Sequence, residues 1–131
     1  MATRFDGFYY ARWEGLDPGG RFWRGQGTAL FKDGKIFGGD NVEYFLGEYR
    51  IVEGEEGEQD TVLVNVQIFR LVDAHESVTG NIETKLWDLS DIKGQIPKGP
   101  LPLQVHARLD SQPYSPERRA MSVFFTRISL I

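Results

Sequence analysis

The chain has 131 residues, one domain's worth, with no room for two independent cores. Hydrophobic residues make up 40% and charged residues 26%, which fits a globule and is too apolar for a disordered chain. The net charge of −4 argues against direct nucleic-acid binding as the main task, and the absence of cysteine excludes disulfides, thiolate metal sites and cysteine nucleophiles.

No apolar run approaches the roughly 18 to 20 residues of a helical membrane span. The opening Met1-Ala2-Thr3-Arg4-Phe5-Asp6-Gly7 has no apolar stretch of the signal-peptide kind. The expectation is a cytoplasmic protein with no membrane association. A single β domain over residues 1–131 is predicted, because short runs rich in Val, Ile, Phe, Tyr and Thr alternate with Gly and Pro along the whole chain. The predicted strands are 6–14, 24–32, 35–39, 43–52, 61–71, 81–89, 102–110 and 120–130.

Between the first two strands, Asp17-Pro18-Gly19-Gly20 is a loop signal. Gly25-Gln26-Gly27 lacks the third glycine and the following helix of a dinucleotide-binding turn. Both glycines read as strand positions where a neighbour packs closely. Asp33-Gly34, between Phe31 and Ile36, suits a two-residue type I′ hairpin turn. Gly38-Gly39-Asp40 reads as another turn, with Asp40 bonding nearby backbone. In 43–52, Phe45, Leu46 and Tyr49 follow Val42 at helical spacing as well, and Ile82, Leu86, Leu89 and Lys93 do the same before Gly94. Strand is preferred at both places because the windows are short, with a short helical turn allowed. In 61–71, Val62, Val64, Val66 and Ile68 form one apolar face. In 102–110, Leu103, Val105, Ala107 and Leu109 alternate with Gln104, His106, Arg108 and Asp110. Pro97, Pro100, Pro102, Pro113 and Pro116 keep the flanking segments irregular. The last run is apolar on both faces: Ala120, Phe124 and Ile128 point one way, Met121, Val123, Phe125 and Ile131 the other. A second subunit or a chain fold-back is expected to cover the outer one. Eight strands in adjacent order fit an all-β, up-and-down, lipocalin-like or calycin-like barrel, with a sandwich as the alternative.

Catalytic chemistry finds little support. No Ser sits in a nucleophile elbow, and His106 falls on the polar face of its strand. Asp73, His75 and Glu76 form a polar loop without the imidazole set of a zinc site, so no metal or cofactor is expected. Glu43 and Glu48 flank Tyr44 and Tyr49, but nothing places them in a pocket. Phe8, Tyr10, Trp13, Phe22, Trp23, Phe31, Tyr44, Tyr49, Trp87 and Phe124 either fill the barrel or line a cavity for one small apolar ligand.

Charge is where the sequence is most informative. Glu53, Glu55, Glu56, Glu58 and Asp60 lie within eight positions; without these five the chain carries −4 + 5 = +1. Five like charges on one hairpin tip repel one another unless water, a counter-ion or a basic partner relieves them. A solvated loop that discourages aggregation and a docking site for a cationic protein surface both fit. Calcium fits less well, because the spacing is not that of an EF-hand.

Asp6-Gly7-Phe8-Tyr9, then Gly25-Gln26-Gly27, then the hairpin Lys32-Asp33-Gly34-Lys35-Ile36-Phe37-Gly38-Gly39-Asp40, then Tyr44, Gly47 and the acidic stretch, occur in an order that resembles the GrlR family. Members of that family are negative regulators of type III secretion gene expression. The resemblance covers about the first 70 residues. It implies an eight-stranded lipocalin-like barrel, a homodimer, no enzymatic activity, and repression by capture of a transcriptional activator through an acidic surface loop. That loop corresponds to Glu53–Asp60, centred on Glu55, Glu56 and Glu58, although Gly54 and Gly57 interrupt what is a contiguous acidic run in the family. The resemblance also implies a barrel able to hold a lipid-like ligand.

Overall fold

The computed structural model describes residues 3–16, 22–40, 43–71, 83–109 and 121–129. They form eight strands: β1 (Gly7–Leu16), β2 (Phe22–Lys32), β3 (Lys35–Gly39), β4 (Glu43–Val52), β5 (Asp60–Leu71), β6 (Glu83–Ile96), β7 (Gln104–Leu109) and β8 (Met121–Ser129). Each pairs antiparallel with the next, and β8 returns to pair with β1, so the sheet closes into an up-and-down barrel.

Local chemistry explains the connections. Asp33 and Gly34 both have positive φ, 52° and 81°, as the type I′ turn joining β2 to β3 demands. Asp40 accepts the Glu43 amide at 2.7 Å through its side chain and donates its own amide to the Glu43 carbonyl at 2.8 Å, closing the next turn. Trp13 lies across Gly25, its partner in the β1–β2 ladder. A Cβ at Gly25 would overlap the indole, so the strand glycine is required by close packing.

Alternation fills the interior. Val62, Val64 and Ile68 of β5, Val105, Ala107 and Leu109 of β7, and Met121, Val123 and Phe125 of β8 all face the core. Leu103, expected on the same face as Val105, is instead 72% exposed: β7 begins at Gln104, and Leu103 sits in the bend before it, its carbonyl accepting the Arg127 amide at 3.0 Å.

Where described, from Glu43 and from Glu83 on, both ambiguous windows are strand, and no helix occurs among the described residues. The second is an extended strand that runs past the expected end at residue 89 to Ile96. Its register shifts opposite Val64 and Val66, and Asp91 takes a positive φ of 63°. This bulge turns both Leu89 and Ile92 inward at a spacing of three, which imitates a helical period. Gly94, a candidate helix cap by sequence, lies mid-strand opposite Ala107. Residues 17–20, 73–76, 113 and 116 fall outside the described residues.

Candidate functional site

The β4–β5 hairpin ends its ladder at the Val52–Thr61 pair, and residues 53–59 project beyond it. Their shape is set by the two glycines that interrupt the acidic run. Gly57 has a φ of 86°, the conformation that a type II turn places at its third position, and the Glu58 amide donates to the Glu55 carbonyl at 2.9 Å across that turn. At Gly54 a Cβ would meet the Gln59 carbonyl oxygen, so only glycine lets the loop fold back on itself. Both interruptions of the acidic run thus have a structural role.

Asp60 differs in kind from the four glutamates. It is 5% exposed and its carboxylate collects three donors: Lys98 Nζ at 2.6 Å, Arg4 Nη2 at 2.7 Å and the Gly54 amide at 2.9 Å. Lys98 also donates to the Gly54 carbonyl at 2.8 Å, and Arg4 to the Gly99 carbonyl at 3.0 Å. The Lys98 ammonium first, then the Gly54 amide, hold the Asp60 pKa down at about 2 against the opposing effect of burial, with Arg4 assisting. Asp60 is the anchor of the loop rather than part of its charged surface. Glu53, Glu55, Glu56 and Glu58 are all exposed, and none forms an ion pair with a cation among the described residues.

Beside this tip, residues 3–6 close the same end of the barrel. Phe5 is fully buried, with ring centroids 5.0 Å from Tyr9, 5.2 Å from Phe31 and 6.1 Å from Tyr49. The Tyr9 hydroxyl donates to the Phe5 carbonyl at 2.7 Å, and Arg127 Nη2 donates to the Arg4 carbonyl at 2.9 Å. Asp6 accepts from the Tyr49 hydroxyl, from Thr3 Oγ1 at 3.0 Å and from the Asp33 amide at 3.3 Å. Burial raises the Asp6 pKa, but these donors outweigh it and the net shift is downward. Tyr49 moves up to about 12, first because it is buried and then because its hydroxyl donates a hydrogen bond to Asp6.

Above Phe31 the barrel holds a cavity of about 60 Å³ whose lining includes Trp13, Phe45, Ile68, Leu89 and Phe125 and is apolar throughout. That is well below the roughly 150 Å³ of an engineered apolar cavity that takes up benzene. Of the aromatics considered as lining, Trp13 and Phe31 touch the cavity and Tyr49 belongs to the cluster around Phe5. Tyr10 is exposed, Phe8 is half-buried, Tyr44 stacks on Phe69 and Phe124 stacks on His106. Phe22, Trp23 and Trp87 lie outside the described side chains.

The other sequence candidates are not brought together. Glu48 pairs with Lys35 at 2.8 Å in the open, which lowers its pKa, while Glu43 points to the other face of β4. His106 is exposed on the polar face of β7. Asp73, His75 and Glu76 lie outside the described residues, and among the described residues no three His, Asp or Glu side chains converge on a metal-sized point. No helix among the described residues is long and apolar enough to cross a membrane. Sequence reasoning missed Arg4 and Lys98, the cations that hold Asp60. Each lies far from it along the chain: the β5–β6 register sets Asp60 opposite Ile96 and so brings Lys98 to it, and the segment before β1 brings Arg4. No family model matches the chain, and no curated protein matches it either.

Proposed function

We propose that this barrel is a non-enzymatic regulatory protein that captures a basic protein partner on the acidic hairpin and masks its cationic surface. The supporting observation is the division of labour within residues 53–60. Asp60 is neutralised by Lys98 and Arg4 and fixes the base of the hairpin, while Glu53, Glu55, Glu56 and Glu58 stand exposed with no cation of the described chain to satisfy them. Anchoring reduces the ordering entropy lost on binding, and concentrated unpaired charge speeds encounter with an opposite surface. A transcriptional activator, whose DNA-contacting surface is basic, is the partner class this reading favours. Membership of the GrlR family, assembly as a homodimer and a cytoplasmic location are parts of the same proposal.

A carrier role for a small apolar ligand is the second reading. It is supported by the wholly apolar lining of the cavity and opposed by its size, since a ligand larger than a few heavy atoms requires the side chains around Phe31 to move. Capture from native lysate with the loop intact and with Glu55→Lys, Glu56→Lys and Glu58→Lys combined tests the first reading. The expected result is one basic protein retained by the intact loop and absent from the reversed one, with unchanged far-UV circular dichroism. Equal retention by both removes the loop from the function.

A further inference from the structure

The acidity of the chain is concentrated at the hairpin, and the register of the barrel brings several cations together elsewhere. Across the outer surface Arg24, Glu14, Ser122, Arg108 and Lys93 lie side by side on β2, β1, β8, β7 and β6. Arg24, Arg108 and Lys93 are exposed, and Glu14 is the one carboxylate in that row. Lys93 and Arg108 are direct cross-strand partners, an arrangement that like charges disfavour. Among the described residues neither has an ion pair to relieve it.

Two residues along the strands, Arg12, Phe124 and His106 form the adjacent row. The Arg12 guanidinium lies 4.8 Å from the Phe124 ring centroid, and the His106 ring stacks parallel to Phe124 at 4.6 Å with an interplanar angle of 8°. Guanidinium, phenyl and imidazole thus make a column of flat groups across β1, β8 and β7, with Arg12 and His106 exposed at its two ends.

We infer that this outer face binds single-stranded nucleic acid, with Arg24, Arg108 and Lys93 neutralising phosphates and bases stacking on the ends of the Arg12–Phe124–His106 column. An acidic peptide would use the cations but leave the column without a role, whereas stacking of bases on aromatic and guanidinium planes beside a cationic track is how sheets hold single strands. A duplex fits poorly, because a convex sheet surface presents no helix or ribbon to enter a groove. The net charge of −4 is no obstacle, because the five acids of residues 53–60 carry more than all of it. This site is separate from the acidic hairpin and does not depend on the masking role.

Fluorescence anisotropy of a labelled oligouridylate of about 12 nucleotides, a length within the range that single-strand-binding folds cover, provides the test. Binding is expected to weaken with salt at a log–log slope of about −2, as for neutralisation of three phosphates on a single strand. The pair Lys93→Glu with Arg108→Glu should weaken it at least about tenfold, since both side chains are exposed and each reversal replaces attraction with repulsion. His106→Ala should weaken it several-fold at unchanged salt slope, because it removes a stacking plane rather than a phosphate contact. Absence of binding at low salt, or indifference to the charge reversals, overturns the inference. So does equal binding of a polyglutamate peptide of the same length with no effect of His106→Ala, which would make the face an acidic-peptide site.

Discussion

Asp60 and Glu55 are five residues apart on one hairpin, yet they do opposite things. Asp60 is turned into the barrel end, where Lys98, Arg4 and the Gly54 amide converge on it. Glu55 stands in water with Glu53, Glu56 and Glu58, and no cation of the described chain pairs with any of them. A carboxylate that has its donors in the folded state contributes to folding. One that lacks them contributes repulsion, and is left available to whatever arrives with positive charge. The closed end and the tip therefore divide stability from recognition within a few residues, and substitutions on either side of that boundary should behave differently.

The largest loss of stability is expected at the closed end. Phe5→Ala removes a fully buried ring from a cluster with Tyr9, Phe31, Tyr49 and Phe125, and should cost about 3–5 kcal/mol in urea unfolding. A loss within the roughly 0.5 kcal/mol of an ordinary surface change would mean that residues 3–6 do not belong to the core.

Next comes Asp60→Asn, which leaves Lys98 and Arg4 facing a neutral amide. Its melting temperature should fall, and its acid response should flatten. The folded carboxyl has a pKa of about 2 against an ordinary value of 3.8, so the unfolded state binds the proton more tightly. The stabilisation is present above pH 3.8 and is lost as pH falls through about 2. Stability measured across that window should decline less steeply in the variant than in the parent; identical slopes would show that the Asp60 cluster is not coupled to folding.

Tyr49 tests the same end from the alkaline side, with a smaller effect. Its phenol is raised from 10.0 to about 12, so the folded state keeps a proton that the unfolded state has released. Stability is unaffected below pH 10 and falls as pH rises towards 12. Tyr49→Phe should remove part of that decline, with phenolate absorbance reporting the missing titration. An unaltered alkaline transition would assign the decline to other groups, Tyr9 first, since burial raises its pKa too.

Much of this architecture is legible in the residue order, and the exceptions have physical causes. The Asp33-Gly34 turn, the inward valines of β5 and the alternation of β7 from Val105 onward follow from periodicity and turn chemistry alone. β6 is longer than its pattern suggests, because the bulge at Asp91 breaks the period of two just where the strand continues to Ile96. Phe5 precedes the first strand and has no periodic partner, so nothing local marks it as the residue that closes the barrel. The acidic hairpin was visible as charge. The separation of Asp60 from its neighbours was not, because it depends on Arg4 and Lys98, which are 56 and 38 residues away in sequence. Local pattern reports which way a side chain faces; it does not report what the other end of the chain brings to meet it.

The smallest expected effect on folding is at the tip. Glu55→Lys, Glu56→Lys and Glu58→Lys together touch three exposed side chains without an ion pair among the described residues, so the change should stay within roughly 0.5 kcal/mol per site, the range for ordinary surface positions. Reversal leaves Glu53 among three lysines that attract it but repel one another, so the net change should stay small and should shrink as salt screens it. A large destabilisation would mean that the glutamates are tied to the barrel in solution. The boundary between anchor and free surface would then lie further out along the hairpin than Asp60.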